Sequence, residues 1–109
     1  MSTSEPGLDR HEWESERATL EDDLRSSPAE TLPELARLVG RMLEERGYDL
    51  ADPVIREGEE REVVAQYQAS QEVADRVDSG DDVDPGDVVD AINGLISIFD
   101  YIVVELEMP

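Results

Sequence analysis

The chain has 109 residues, 29 of them Asp or Glu against 9 Arg, with no Lys and no Cys, for a formal net charge of −20. That length suits one domain, and the absence of Cys excludes a disulfide framework, a cysteine-based zinc site and a thiol nucleophile. Leu, Ile, Val and Phe make up 27 of the residues, enough to set the chain apart from a fully disordered polyelectrolyte.

Residues 1–27 are expected to form an acidic arm, weakly ordered or short-helical. Trp13, Leu20 and Leu24 share a helical face at spacings of 7 and 4, but acids fill the intervals and few other apolar residues accompany them. The opening stretch lacks the basic, apolar, small-residue order of a secretory signal.

Residues 28–109 are expected to form the folded unit, a small all-α three-helix bundle with helices at about 32–46, 59–79 and 85–107. Two overlapping signals open the first helix. Ser27-Pro28-Ala29-Glu30 and Thr31-Leu32-Pro33-Glu34 each place a hydroxyl three residues before a Glu, with Pro in the first turn. Leu32, Leu35, Leu38, Val39, Met42 and Leu43 form its apolar stripe. Ala36 and Gly40 leave room for a second helix to approach, and Gly47 stops the run.

The second helix carries Val63, Tyr67, Ser70, Ala74 and Val77 in steps of 4, 3, 4 and 3, widened by Val64 and Val73, and Gly80 ends it. Glu57 with Arg61 and Glu72 with Arg76 are spaced as i, i+4 pairs. In the third, Asp84 is the expected N-cap and Pro85 the first helical residue. Val88, Ile92, Leu95, Phe99, Ile102 and Leu106 then step along one face, with Val89, Ile96 and Val103 in a second row beside them. Asn93-Gly94 raises the alternative of a break followed by a strand. Helix is the preferred assignment, because the polar residues keep helical spacing. A two-row apolar face is wider than one partner helix covers. It calls either for a central helix or for a second copy of the chain.

Several chemistries find little support. His11 is the only histidine and stands in the arm beside Glu12, so neither an oriented catalytic triad nor a histidine-based zinc site is indicated. Asp78, Asp81, Asp82, Asp84 and Asp87 crowd one connector, yet no register of them matches the Asp, Gly and Glu positions of a helix–loop–helix calcium site. Gly86 and Gly94 are isolated and follow no strand, so no phosphate cradle is legible. The acids fall on polar faces and connectors, where nothing would separate their pKa values for acid–base work. A non-enzymatic protein is therefore expected, with no cofactor, no metal and no small-molecule substrate.

The charge divides unevenly: −6 over residues 1–30, −1 over 31–56, −5 over 57–79 and −8 over 80–109. All Arg and no Lys on a surface crowded with acids is the habit of halophilic proteins, and the expected setting is a halophilic archaeal cytoplasm. Charge of this size repels itself, and molar salt shortens the Debye length from about 10 Å at 0.1 M to about 3 Å. The expected role is a protein-protein interaction or assembly module, a homodimer or the binder of another protein. The candidate interface is the third helix face of Val88, Ile92, Leu95, Ile96, Phe99, Ile102, Val103 and Leu106, together with Trp13, for which docking on the chain's own bundle is the favoured reading. The alternative is a small DNA-associated regulator with a helix-turn-helix-like core. Arg37 and Arg41 would be its anion contacts, although Glu34, Glu44 and Glu45 flank them. Tyr48, Tyr67 and Tyr101 are expected at the edge of the core. The longest apolar stretch is far short of the ~20 residues a membrane helix needs.

Overall fold

A computed structural model describes residues 10–48, 50 and 58–107, with side chains described for 11–48, 50 and 61–104. These residues form four helices: α1 (Arg10–Ser26), α2 (Pro28–Glu45), α3 (Gly58–Asp78) and α4 (Pro85–Glu107). The fold is all-α, with one helix more than the three expected.

The additional helix is α1, where a weakly ordered or short-helical arm was anticipated. Its 17 residues are mostly charged or polar, so its own sequence supplies few apolar contacts. Docking provides the rest: Trp13 is buried in the common core, and Leu20 and Leu24 pack partly buried against it. Residues 1–9 lie outside the described residues.

Pro28 occupies the first turn of α2, where its missing N–H leaves no bond unmade. The first of the two overlapping start signals is thus the one used, although Ser27 makes no side-chain cap. Its backbone bends (φ −143°, ψ 65°), and its carbonyl accepts from the N–H and hydroxyl of Thr31. Pro33 consequently sits inside the helix, where the carbonyl of Ala29 loses its i+4 donor. The apolar stripe of α2 is buried as its spacing implies: Leu32, Leu35, Leu38, Val39, Met42 and Leu43 are all at most 2 % exposed.

Both glycine stops work through left-handed backbone. Gly47 has φ 90°; its N–H bonds the Glu44 carbonyl and the Tyr48 N–H bonds that of Leu43. Gly80 has φ 86°, and Asp81 reaches back to Arg76 in the same way. After the first stop, Tyr48 is buried, and the carbonyl of Leu50 accepts a hydrogen bond from the Gln68 side chain on α3. Glu57 of the expected pair with Arg61 lies outside the described residues, and Glu72 and Arg76 form no ion pair among the described residues.

Helix α4 runs without a break through Asn93-Gly94. It touches all three other helices, while α2, α3 and α4 also contact one another pairwise. Helix α1 lies on α2 and reaches α4. Two glycines set the close approaches. A Cβ on Gly40 would fall 2.5 Å from the Tyr67 hydroxyl, and one on Gly94 2.9 Å from Nε2 of Gln66 and 3.1 Å from Oγ of Ser70. The spacing of Ala36 and Gly40 therefore does admit a neighbouring helix, and α3 fills the place.

Candidate protein interface

The structure places most of the expected interface inside the chain. Val88, Ile92, Leu95, Phe99, Ile102 and Val103 are at most 8 % exposed, covered by the other helices, and Ile96 is partly buried. Ala91 and Ile98 are buried as well, so α4 hides a broad arc. Of the two ways to cover a two-row face, the described chain takes the internal one. The side chain of Leu106 lies outside those described. Trp13 is also internal, at 3 % exposure.

The two arginines proposed as anion contacts have different surroundings. Arg41 bonds Glu16 of α1 at 2.8 Å, and its guanidinium lies 5.7 Å from the centre of the Trp13 ring. It thus clasps α1 to α2. Arg37 is exposed and makes no ion pair among the described residues. Both line a cleft of about 390 Å3 beside Glu16 and Glu34. Two carboxylates therefore accompany the two guanidiniums in this cleft, which carries no net positive charge.

A second arginine clasp went unread in the sequence. Arg17 bonds Asp100 of α4 at 2.7 Å and lies 5.0 Å from the Phe99 ring centre. Its Nε faces Glu21 at 3.7 Å, beyond hydrogen-bonding reach. The partners are 83 residues apart, and no local pattern joins them.

A largely apolar groove of about 390 Å3 opens at one end of the bundle. Ser27, Pro28, Ala29 and Glu30 form one wall; Val83, Pro85, Val88 and Val89 form the other. Val89 is 48 % exposed. Only Val88 of this lining belonged to the expected first row, and Val89 to the second. The signal was the bend at Ser27 and the capped start of α4, but their meeting is tertiary. The second wall is held rigidly: Oδ1 of Asp84 accepts from the Gly86 N–H at 2.7 Å, and its carbonyl receives the N–H groups of Asp87 and Val88. A smaller groove of about 260 Å3 between α3 and α4 is lined by Glu62, Val63, Gln66, Ser97, Ile98 and Tyr101.

Among the described residues, no three His, Asp or Glu side chains gather to hold a metal ion. Asp78, Asp81, Asp82, Asp84 and Asp87 are exposed, as is His11. Among the described residues, no helix is long and apolar enough to cross a membrane. Burial pushes the Tyr67 hydroxyl above its ordinary pKa, with the carboxylates of Glu44 and Asp75 adding to the rise. That hydroxyl donates to Gln71 at 2.8 Å within α3 and so has a structural partner. Comparison of the chain with protein-family models, with curated proteins and with solved structures yields no match.

Proposed function

We propose that this chain is a non-enzymatic interaction module, built for a salt-rich archaeal cytoplasm, that binds another protein through the open end of its bundle. The observation that supports this reading is the groove at Val83, Pro85, Val88 and Val89, which stays open while Ile92, Leu95, Phe99, Ile102 and Val103 of α4 are covered from within. Accessible apolar surface rimmed by polar residues is a form that protein interaction sites take. The composition supports the setting: 29 acids against 9 arginines keep the molecule dispersed where salt screens their repulsion.

The test is a photo-crosslinking residue placed at position 89, in the organism that makes the chain. The expected result is a discrete heavier adduct, absent when the same residue stands at the exposed position 65 on α3. Identical patterns at the two positions overturn the proposal. An adduct of twice the 12.2 kDa chain mass identifies the bound protein as a second copy, which keeps the module and makes it a homodimer.

A further inference from the structure

We infer that the groove between the start of α2 and the start of α4 receives a basic, amphipathic segment of a different protein: apolar side chains in the groove, arginine or lysine around it. This rests on the reading of the chain as an interaction module and names the chemistry of its partner.

Two observations on separate features converge. The first is shape and polarity. Pro28, Ala29 and Val83 are partly buried, Val88 forms a buried floor, and Val89 projects half-exposed beside them. A space of about 390 Å3 accommodates one or two branched aliphatic side chains. The hydrogen bonds of Asp84 turn inward to Gly86, Asp87 and Val88, so its cap holds the wall in shape before anything binds.

The second is charge. Glu30 stands in one wall, and Asp81, Asp82, Asp84, Asp87 and Asp90 border the residues of the other in sequence, all of them exposed. Residues 80–109 contain no Arg or Lys at all. The nearest cations in sequence are Arg25, paired with Asp22 at 2.6 Å, and Arg76 in the last turn of α3. An apolar dimple with Glu30 in its lining and exposed aspartates along the adjoining chain is complementary to an apolar anchor fringed by cations. It is ill matched to a second copy of this chain, which brings a net charge of −20 and the same arginine-free stretch from residue 80 onward. Molar salt trims the long-range attraction but strengthens the apolar part of the contact, so the combination suits the setting proposed.

The experiment uses the full chain, labelled for amide NMR in molar KCl, and three helical peptides of equal length. One carries leucine on one face and arginine on the other; the second replaces arginine by glutamate; the third keeps arginine and replaces leucine by serine. The Leu/Arg peptide should give saturable shifts at the amides of Ala29, Val83, Val88 and Val89. Its binding should weaken about tenfold or more in Val89→Asp and stay unchanged in Val104→Asp, a control at another exposed valine. Between about 0.5 and 2 M KCl it should weaken less steeply than the diffuse binding of the Ser/Arg peptide. The inference is overturned if the Leu/Glu or Ser/Arg peptide matches the Leu/Arg peptide, if no peptide shifts these amides, or if they shift with protein concentration alone. The crosslink at position 89 separates the two levels. An adduct with a partner lacking a basic segment overturns this inference and leaves the module; no position-specific adduct overturns both.

Discussion

The hydroxyl of Tyr67 occupies the space in which a side chain at position 40 would begin, 2.5 Å from where its Cβ would stand. Alanine for glycine at an open helical site gains up to about 1 kcal/mol. Overpacking a filled site costs about 1–3 kcal/mol, so here the second effect wins. Gly40→Ala should destabilise by roughly 1–2 kcal/mol in a denaturant melt at molar KCl. Adding Tyr67→Phe should return part of that loss, because it removes the nearest atom; an unchanged melt for Gly40→Ala would show that α2 and α3 part easily. The same tyrosine makes a pH prediction. Burial first, and then Glu44 and Asp75, hold its pKa above the ordinary value of 10.0. The folded state therefore keeps a proton that the unfolded state releases. Stability from this source is intact below pH 10 and is lost as pH rises on through the folded-state value. Tyrosinate absorbance should show a late-titrating step, and Tyr67→Phe should remove that step together with its share of the alkaline loss of stability.

At the scale of the element, α1 owes its order to docking. Most helical stability in proteins comes from the packing of an apolar face, and the face of α1 is Trp13 with Leu20 and Leu24. Trp13→Ala should cost about 3–5 kcal/mol, the usual range for a truncated buried aromatic. The clasps contribute less. Arg17 with Asp100 is a partly exposed pair, at 23 % and 61 % side-chain exposure, and such pairs contribute about 0.2–1 kcal/mol. A double-mutant cycle of Arg17→Ala and Asp100→Ala should fall in that range and shrink as KCl is raised. Because Trp13 is the only tryptophan, its emission should be blue-shifted in the folded chain. It should move red in step with the loss of helical circular dichroism; an earlier shift would mean that α1 leaves before the bundle melts. The other three helices were legible because each repeats an apolar stripe for several turns between clear start and stop residues. For α1 the same spacing is present but sparse, and what makes it a helix is contributed by residues on α2 and α4.

The molecule as a whole is held against its own charge. With a net charge of −20, repulsion spans the chain at a Debye length of about 10 Å and is confined to immediate neighbours at about 3 Å. The thermal midpoint should therefore climb steeply with KCl between about 0.1 and 1 M and flatten beyond. The few exposed ion pairs lost to screening are too weak to reverse that trend. A midpoint independent of salt would remove the support for the halophilic setting. In light scattering at molar KCl the chain should run as a compact monomer, since the broad face of α4 is already covered by α1, α2 and α3. Val89→Asp, at a half-exposed position, should change stability by no more than about 0.5 kcal/mol, so a binding defect in that variant would belong to the surface and not to the fold.

The sequence by itself determined the helical class, the buried stripe of α2, most of the inward faces of α3 and α4, the glycine stops at 47 and 80 and the Asp84 cap. These depend on spacing within a few turns and on the backbone demands of single residues, which a linear chain displays directly. Tertiary structure alone decided how the wide face of α4 is covered, which partners Trp13, Arg17 and Arg41 meet when α1 docks, and that the beginnings of α2 and α4 meet around an open groove. Each joins residues tens of positions apart. A local periodicity shows that a face is apolar; only the packing of the helices says what covers it.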